Sequence, residues 1–133
     1  MSDLLTPNFH RAEFACRCGC GFDAVDPSLV SGLQSLRDAT HKPIEVLSGC
    51  RCQAHNAGVG GAPYSRHLLG KAADIRIAGM TAREMYAAAT VVEQFHGFGV
   101  DDQRGFVHVD VREVPARWCY NGGREVPWHE ING

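Results

Sequence analysis

A chain of 133 residues, 44% hydrophobic and 21% charged, has the composition of an ordinary globular protein and the length of one domain able to bury a core without staples. Its formal net charge of -2 offers no bulk attraction to nucleic acid or to acidic membranes, and no stretch approaches the ~20 apolar residues that a membrane span requires. Function therefore has to be sought in a local site.

The N-terminal run MSDLLTPNFHRAEF lacks the basic stretch and apolar segment of a signal peptide, so synthesis in the cytoplasm is expected. Residues 8–14 are expected to form a short helix, followed by the Cys/Gly-rich loop 16–24. Asp26-Pro27 opens a second helix: Asp suits the N-cap, Pro the first helical position, and Leu29, Val30, Leu33 and Leu36 recur at helical spacing. Ile44–Leu47 alternates and is rich in β-branched residues, which predicts a strand that delivers Arg51 to its end. Residues 53–66 hold three glycines and a proline and read as an irregular active-site loop, with a short helical turn at 53–57. Residues 71–77 form a predicted strand carrying Asp74, and Thr81 with Glu84 makes a capping box for a helix running to about Gln94. Two further strands, 97–100 and 106–111, are joined by a turn at 101–105. The fold class is α+β, with a small, mainly antiparallel sheet flanked by helices.

A catalytic zinc site takes three protein ligands from His, Asp, Glu or Cys and keeps one position open. His67 lies seven residues before Asp74, with Gly70 and two alanines between them to allow a tight turn. Strand alternation over Phe106-Val107-His108-Val109-Asp110 puts Phe106, His108 and Asp110 on one face and the two valines in the core. Asp74, set between Ala73 and Ile75, would be costly to desolvate unless a cation or several donors met it.

The pattern S-x-H-x-x-G-x-A-x-D over residues 65–74, with the later F-V-H-V-D, resembles the zinc D-alanyl-D-alanine carboxypeptidases, which share a metal site with lysostaphin-type peptidases and the hedgehog fold. Further motifs match in order: Asn8-Phe9 with Glu13-Phe14, the Cys-x-Cys-Gly-Cys-Gly loop, Ser48-Gly49-x-Arg51, His55-Asn56 and Val59-Gly60-Gly61-Ala62-Pro63. The resemblance covers roughly residues 8 to 120 and is to the short branch found in phages and bacteria. It implies one zinc ion on His67, Asp74 and His108, with Arg51 near a peptidoglycan peptide substrate. It also implies action at the cell wall by a soluble monomer, either as a carboxypeptidase or as an endopeptidase such as a phage or prophage lysin released through a membrane pore. Relatives often carry an acid or a His shortly before the last zinc-binding His, but Gly105 stands three residues before His108. Asp110 is then the first choice of general base, or alternatively a residue that orients a ligand or pairs with Arg112; Asp102 and His96 follow. Arg51 can grip a substrate carboxylate or a developing oxyanion. Ser65, His55 and Asn56 are expected to brace the metal loop, Ser65 also touching substrate.

Cys16, Cys18, Cys20, Cys50, Cys52 and Cys119 are expected to be buried or free thiols, because C-x-C-x-C lacks the two-residue gap usual in zinc sites; a second metal or a disulfide is the alternative. Trp118 is expected in the core and Tyr120 along the cleft, and the segment 122–133 matches no pattern. A non-catalytic wall-binding module that keeps the metal fold is the rival to an enzyme.

Overall fold

The computed structural model describes residues 3–121 and 124–127. Strands β1 (Leu4–Thr6) and β2 (Phe9–His10) pair, and a 3-10 turn follows at Arg11–Phe14. The chain then forms α1 (Pro27–Thr40), β3 (Ile44–Ser48), α2 (Gln53–Gly58), a 3-10 turn at Arg66–Leu69, and β4 (Ala72–Ile77). It ends with α3 (Ala82–Ala89), β5 (Gly97–Asp101), β6 (Phe106–Asp110), β7 (Ala116–Asn121) and β8 (Arg124–Val126). The fold is α+β. Its six-stranded sheet has the order β3-β4-β6-β5-β7-β8 and is antiparallel except between β5 and β7.

Helix α1 starts where its sequence says it should: Asp26 accepts a hydrogen bond from the Ser28 amide at 2.8 Å, with Pro27 in the first turn. Its stripe of Leu29, Leu33 and Leu36 packs with Ile75 and Ile77 of β4, Val107 and Val109 of β6, Val100 of β5 and Met85 of α3. This core covers one face of the sheet. Among the described residues, no helix is long and apolar enough to cross a membrane.

Two helical expectations are corrected. Residues 8–14 are not a helix: Asn8 is tied to Gln34 of α1 by hydrogen bonds of 2.9 and 2.8 Å, Phe9-His10 stays extended, and only Arg11–Phe14 turns. Helix α3 keeps its capping box on Thr81 and Glu84 but stops at Ala89 rather than near Gln94. Thr90 turns its hydroxyl onto the Ala87 carbonyl, leaving Val91 exposed while Val92 and Phe95 bend back into the core. Strands β7 and β8 extend the sheet beyond the expected set. Residues 122–123 and 128–133 of the unassigned tail, including Trp128 and His129, lie outside the described residues.

Candidate metal centre

The second face of the sheet carries the site. Register places Asp74 of β4 opposite His108 of β6, His108 opposite Gly99 of β5, and Gly99 beside Trp118 of β7. One transverse row thus runs Asp74–His108–Gly99–Trp118. Glycine is required in it, because a Cβ at Gly99 would lie 2.4 Å from Trp118 Nε1. The neighbouring row repeats the device: Gly97 faces Asp110, whose carboxylate would sit 2.2 Å from an added Cβ.

His67 reaches this face from the 3-10 turn Arg66–Leu69. Ser65 Oγ caps that turn by accepting the His67 amide at 3.2 Å, and Gly70 ends it in the left-handed region at φ 69°. The His67 Nε2 and His108 Nδ1 atoms each lie 3.1 Å from the same oxygen, Asp74 Oδ1, and the three donor atoms fall within 4.8 Å of one another. His67 is 2% exposed and His108 8%.

The outer nitrogens fix the ring states. His67 Nδ1–H donates to the Gly49 carbonyl at 2.5 Å, and His108 Nε2–H donates to Asp110 Oδ2 at 2.7 Å. In the neutral rings, both remaining nitrogen lone pairs therefore face a carboxylate oxygen. Three electron-rich atoms converge on one point, an arrangement that repels itself unless protons on the rings or a metal cation come between them. Donors around a tetrahedral zinc at ~2.0–2.1 Å would be about 3.3 Å apart, close to the spacing found. The donor set of two imidazoles and one carboxylate, each braced from behind, fits zinc.

Electrostatics follow the same geometry. Burial opposes the ionised form of Asp74, but the charges and hydrogen bonds of His67 and His108 outweigh it and hold its pKa far below the usual carboxylate range. Burial likewise opposes ionised Asp110, and His108 and Arg112 overcome it. Burial lowers the His108 pKa, yet the two aspartates raise it more, so the balance favours the imidazolium when only protons compete for the ring.

Arg51 enters from the loop after β3. Its Nη2 donates to Asp74 Oδ2 at 3.1 Å, its Nη1 to Asn56 Oδ1 at 3.2 Å and its Nε to Ser48 Oγ at 3.2 Å. The fork thus braces the Asp74 carboxylate and keeps two N–H groups uncommitted. Asn56, buried, also donates to the Ala62 carbonyl at 2.9 Å, tying α2 to the glycine-rich loop, whereas the His55 side chain lines no part of the cleft.

A cleft of about 460 Å³ opens over this row. Arg51, Ser65, Phe106, Arg112, Trp118 and Tyr120 line it together with the three donors. Trp118 is therefore not a core residue: it packs against His108 with the rings tilted by 51° and centroids 5.0 Å apart, and carries Arg112 over its ring at 4.9 Å, while Cys119 takes the core-facing side of β7.

The acid–base candidates fall elsewhere. Asp110 shares the strand face with His108 but lies behind it, fully buried and off the cleft wall, its oxygens held by His108 and by Arg112 at 2.7 and 2.9 Å. Asp102 pairs with Arg83 at 3.5 Å on the surface, and His96 Nδ1 donates to the Arg112 carbonyl at 2.7 Å; neither reaches the cleft. Among the described residues, the carboxylates beside the cleft other than Asp74 are Asp101, wholly buried next to Arg104, and Glu125 of β8, which is exposed. No local pattern points to Glu125, because β8 reaches the site only by pairing with β7.

The family model described as Peptidase M15 matches residues 7–110. None of the curated proteins matches the chain.

Proposed function

The chain belongs to the Peptidase M15 family of zinc-dependent metallopeptidases, and on that premise we propose that it hydrolyses an amide bond in the peptide of bacterial peptidoglycan. The observation that carries the reading is the convergence of His67, Asp74 and His108 on one point at the floor of an open cleft. These three residues would hold the zinc ion. When bound, the metal polarises the scissile carbonyl and makes water a competent nucleophile near neutral pH.

The chain's own residues do the rest. Arg51 fixes the carboxylate of Asp74, and its uncommitted N–H groups face the charge of a substrate carboxylate or of the oxygen that becomes anionic during attack. Asp110 orients His108 through the hydrogen bond to Nε2, with Arg112 fixing Asp110 in turn; it is a positioning residue. Proton transfer falls to Glu125, the exposed carboxylate on the cleft wall: it takes a proton from the attacking water and returns it to the leaving amine. Glu125 lies opposite Tyr120 in the sheet, and its charge adds to burial in raising the Tyr120 phenol pKa, so the phenol stays protonated as a donor. Ser65 acts through the turn that presents His67.

The substrate class rests on the resemblance to D-alanyl-D-alanine carboxypeptidases and on the lining of the cleft. Arg51, Arg66, Arg104 and Arg112 meet carboxylate-rich stem peptides, and Tyr64, Trp118 and Tyr120 offer flat apolar contact. Such a substrate places the action at the cell wall. The test is release of new amino groups from purified peptidoglycan, with the fragments identified by mass. Zinc-loaded protein should release amines and chelator-stripped protein should not. Wall binding without release would instead support a non-catalytic module, and release that ignores the chelator would reject the metallopeptidase mechanism.

A further inference from the structure

The loop 16–20 and the start of α2 bring four sulfurs together that the metallopeptidase chemistry does not use. The Sγ atoms of Cys16, Cys18, Cys20 and Cys52 all lie within 4.8 Å of one another, 15 or more residues before the first residue of the His/Asp centre. Individual separations are 3.4 Å for Cys16–Cys18, 3.7 Å for Cys18–Cys52 and 3.9 Å for Cys16–Cys52. Four thiolates around a zinc at ~2.3 Å would be about 3.8 Å apart, which these distances bracket, whereas a disulfide needs ~2.05 Å.

Hydrophobic burial does not account for the gathering. Cys16 is buried and Cys52 half-buried, but Cys18 and Cys20 are exposed, so water is free to separate them from the others. Backbone donors are also turned toward the sulfurs: the Cys52 amide reaches Cys16 Sγ at 3.5 Å and the His55 amide reaches Cys52 Sγ at 3.4 Å. Amide donors of this kind stabilise thiolates rather than thiols. The close C-x-C-x-C spacing, which argued against a shared metal, is accommodated because the loop doubles back, with the Cys16 amide on the Phe22 carbonyl at 2.7 Å and the Gly19 amide on the Cys16 carbonyl at 3.2 Å.

We propose that Cys16, Cys18, Cys20 and Cys52 form a second, structural zinc site with a closed tetrathiolate shell. The site staples the N-terminal loop to the first turn of α2, where Cys52 is the N-cap. Cys52 directly follows Arg51, whose amide bonds the His67 carbonyl at 2.9 Å and whose side chain braces Asp74. The tetrathiolate centre thereby holds the wall of the cleft in place without touching substrate. Cys50 and Cys119 stay outside it, their thiols turned to the Phe22 and Val126 carbonyls at 3.1 and 3.2 Å.

The test uses the full chain, purified under reducing conditions, with zinc counted per chain and cobalt titrated in its place. The wild type should hold two metal ions, and His67→Ala/His108→Ala should keep one that gives the intense thiolate-to-cobalt charge-transfer absorption. Cys18→Ser/Cys20→Ser should lose that absorption while retaining the His/Asp metal. Alkylation gives an independent reading on unmutated protein: the exposed Cys18 and Cys20 should be shielded with zinc and modified rapidly after chelation. Absence of the charge-transfer band in the His-deficient variant, equal alkylation rates with and without zinc, or a mass showing Cys–Cys disulfides would each overturn the site. Because these readouts do not involve catalysis, their failure leaves the hydrolase reading untouched, and failure of amine release leaves the tetrathiolate site untouched.

Discussion

Replacing Asp110 by Asn separates the two roles a buried carboxylate can have beside His108, a proposed metal ligand. Asp110 accepts from His108 Nε2 at 2.7 Å, from Arg112 Nη2 at 2.7 Å, and from Arg112 Nε and the Arg112 amide at 2.9 and 3.1 Å. Asparagine keeps one acceptor oxygen, so its amide N–H groups must confront either His108 or Arg112. Losing a charge-assisted hydrogen bond costs about 1.5–3 kcal/mol, and leaving Arg112 half-paired in a buried setting brings the total to about 2–4 kcal/mol of stability. The His108 ring loses its orientation at the same time, which should weaken zinc binding ~10–100-fold, or about 1.4–2.7 kcal/mol. Competition with a chelator gives the zinc Kd, and urea unfolding of the zinc-free chain gives the stability change. With zinc at saturating concentration, most of kcat should return. An unchanged zinc Kd together with a kcat loss of ~100-fold or more would refute the positioning role and make Asp110 the base.

Glu125→Gln should lower kcat ~100-fold or more at unchanged zinc content, measured by amine release and metal analysis; near-wild-type kcat would remove Glu125 from the proton path. In the zinc-free chain, the lowered pKa values of Asp74 and Asp110 add stability that is present above 3.8 and lost as pH falls below it. The raised His108 pKa adds stability that is complete below 6.5 and fades as pH rises through the folded value. Urea midpoints without zinc should therefore peak between these limits, and saturating zinc should move the maximum to higher pH, since the metal needs unprotonated imidazoles. Gly99→Ala should cost ~1–3 kcal/mol and perturb Trp118 fluorescence, because the new methyl meets the indole at 2.4 Å. Thr81→Ala should cost ~1 kcal/mol through loss of the α3 cap and leave amine release unchanged.

The convergence of His67, Asp74 and His108 was partly legible because its signals are local. Alternation over 106–110 dictates that His108 and Asp110 share a face, and a carboxylate between Ala73 and Ile75 demands a partner wherever the strand goes. The start of α1 and the box at Thr81 were readable for the same reason, each depending on side chains within three residues. What escaped depends on contacts between distant segments. Residues 116–121 become a strand by pairing parallel to β5, and that pairing turns Trp118 onto His108 instead of into the core. The extended start of the chain is held by Gln34 from α1, against the helical pattern of residues 8–14. The sulfur cluster is the extreme case: the spacing of Cys16, Cys18 and Cys20 is unpromising alone, and the ligand that completes the set, Cys52, is brought up only when the loop after β3 folds beside it.

Hydrolysis is proposed to depend on one ion held by His67, Asp74 and His108. The most direct test of this dependence is zinc bound per chain, measured beside amine release, in the wild type and in His67→Ala/His108→Ala. The variant should lose one zinc equivalent and all chelator-sensitive release while keeping its fold. A variant that loses the metal and still cleaves, or that keeps its full zinc content, would contradict the dependence.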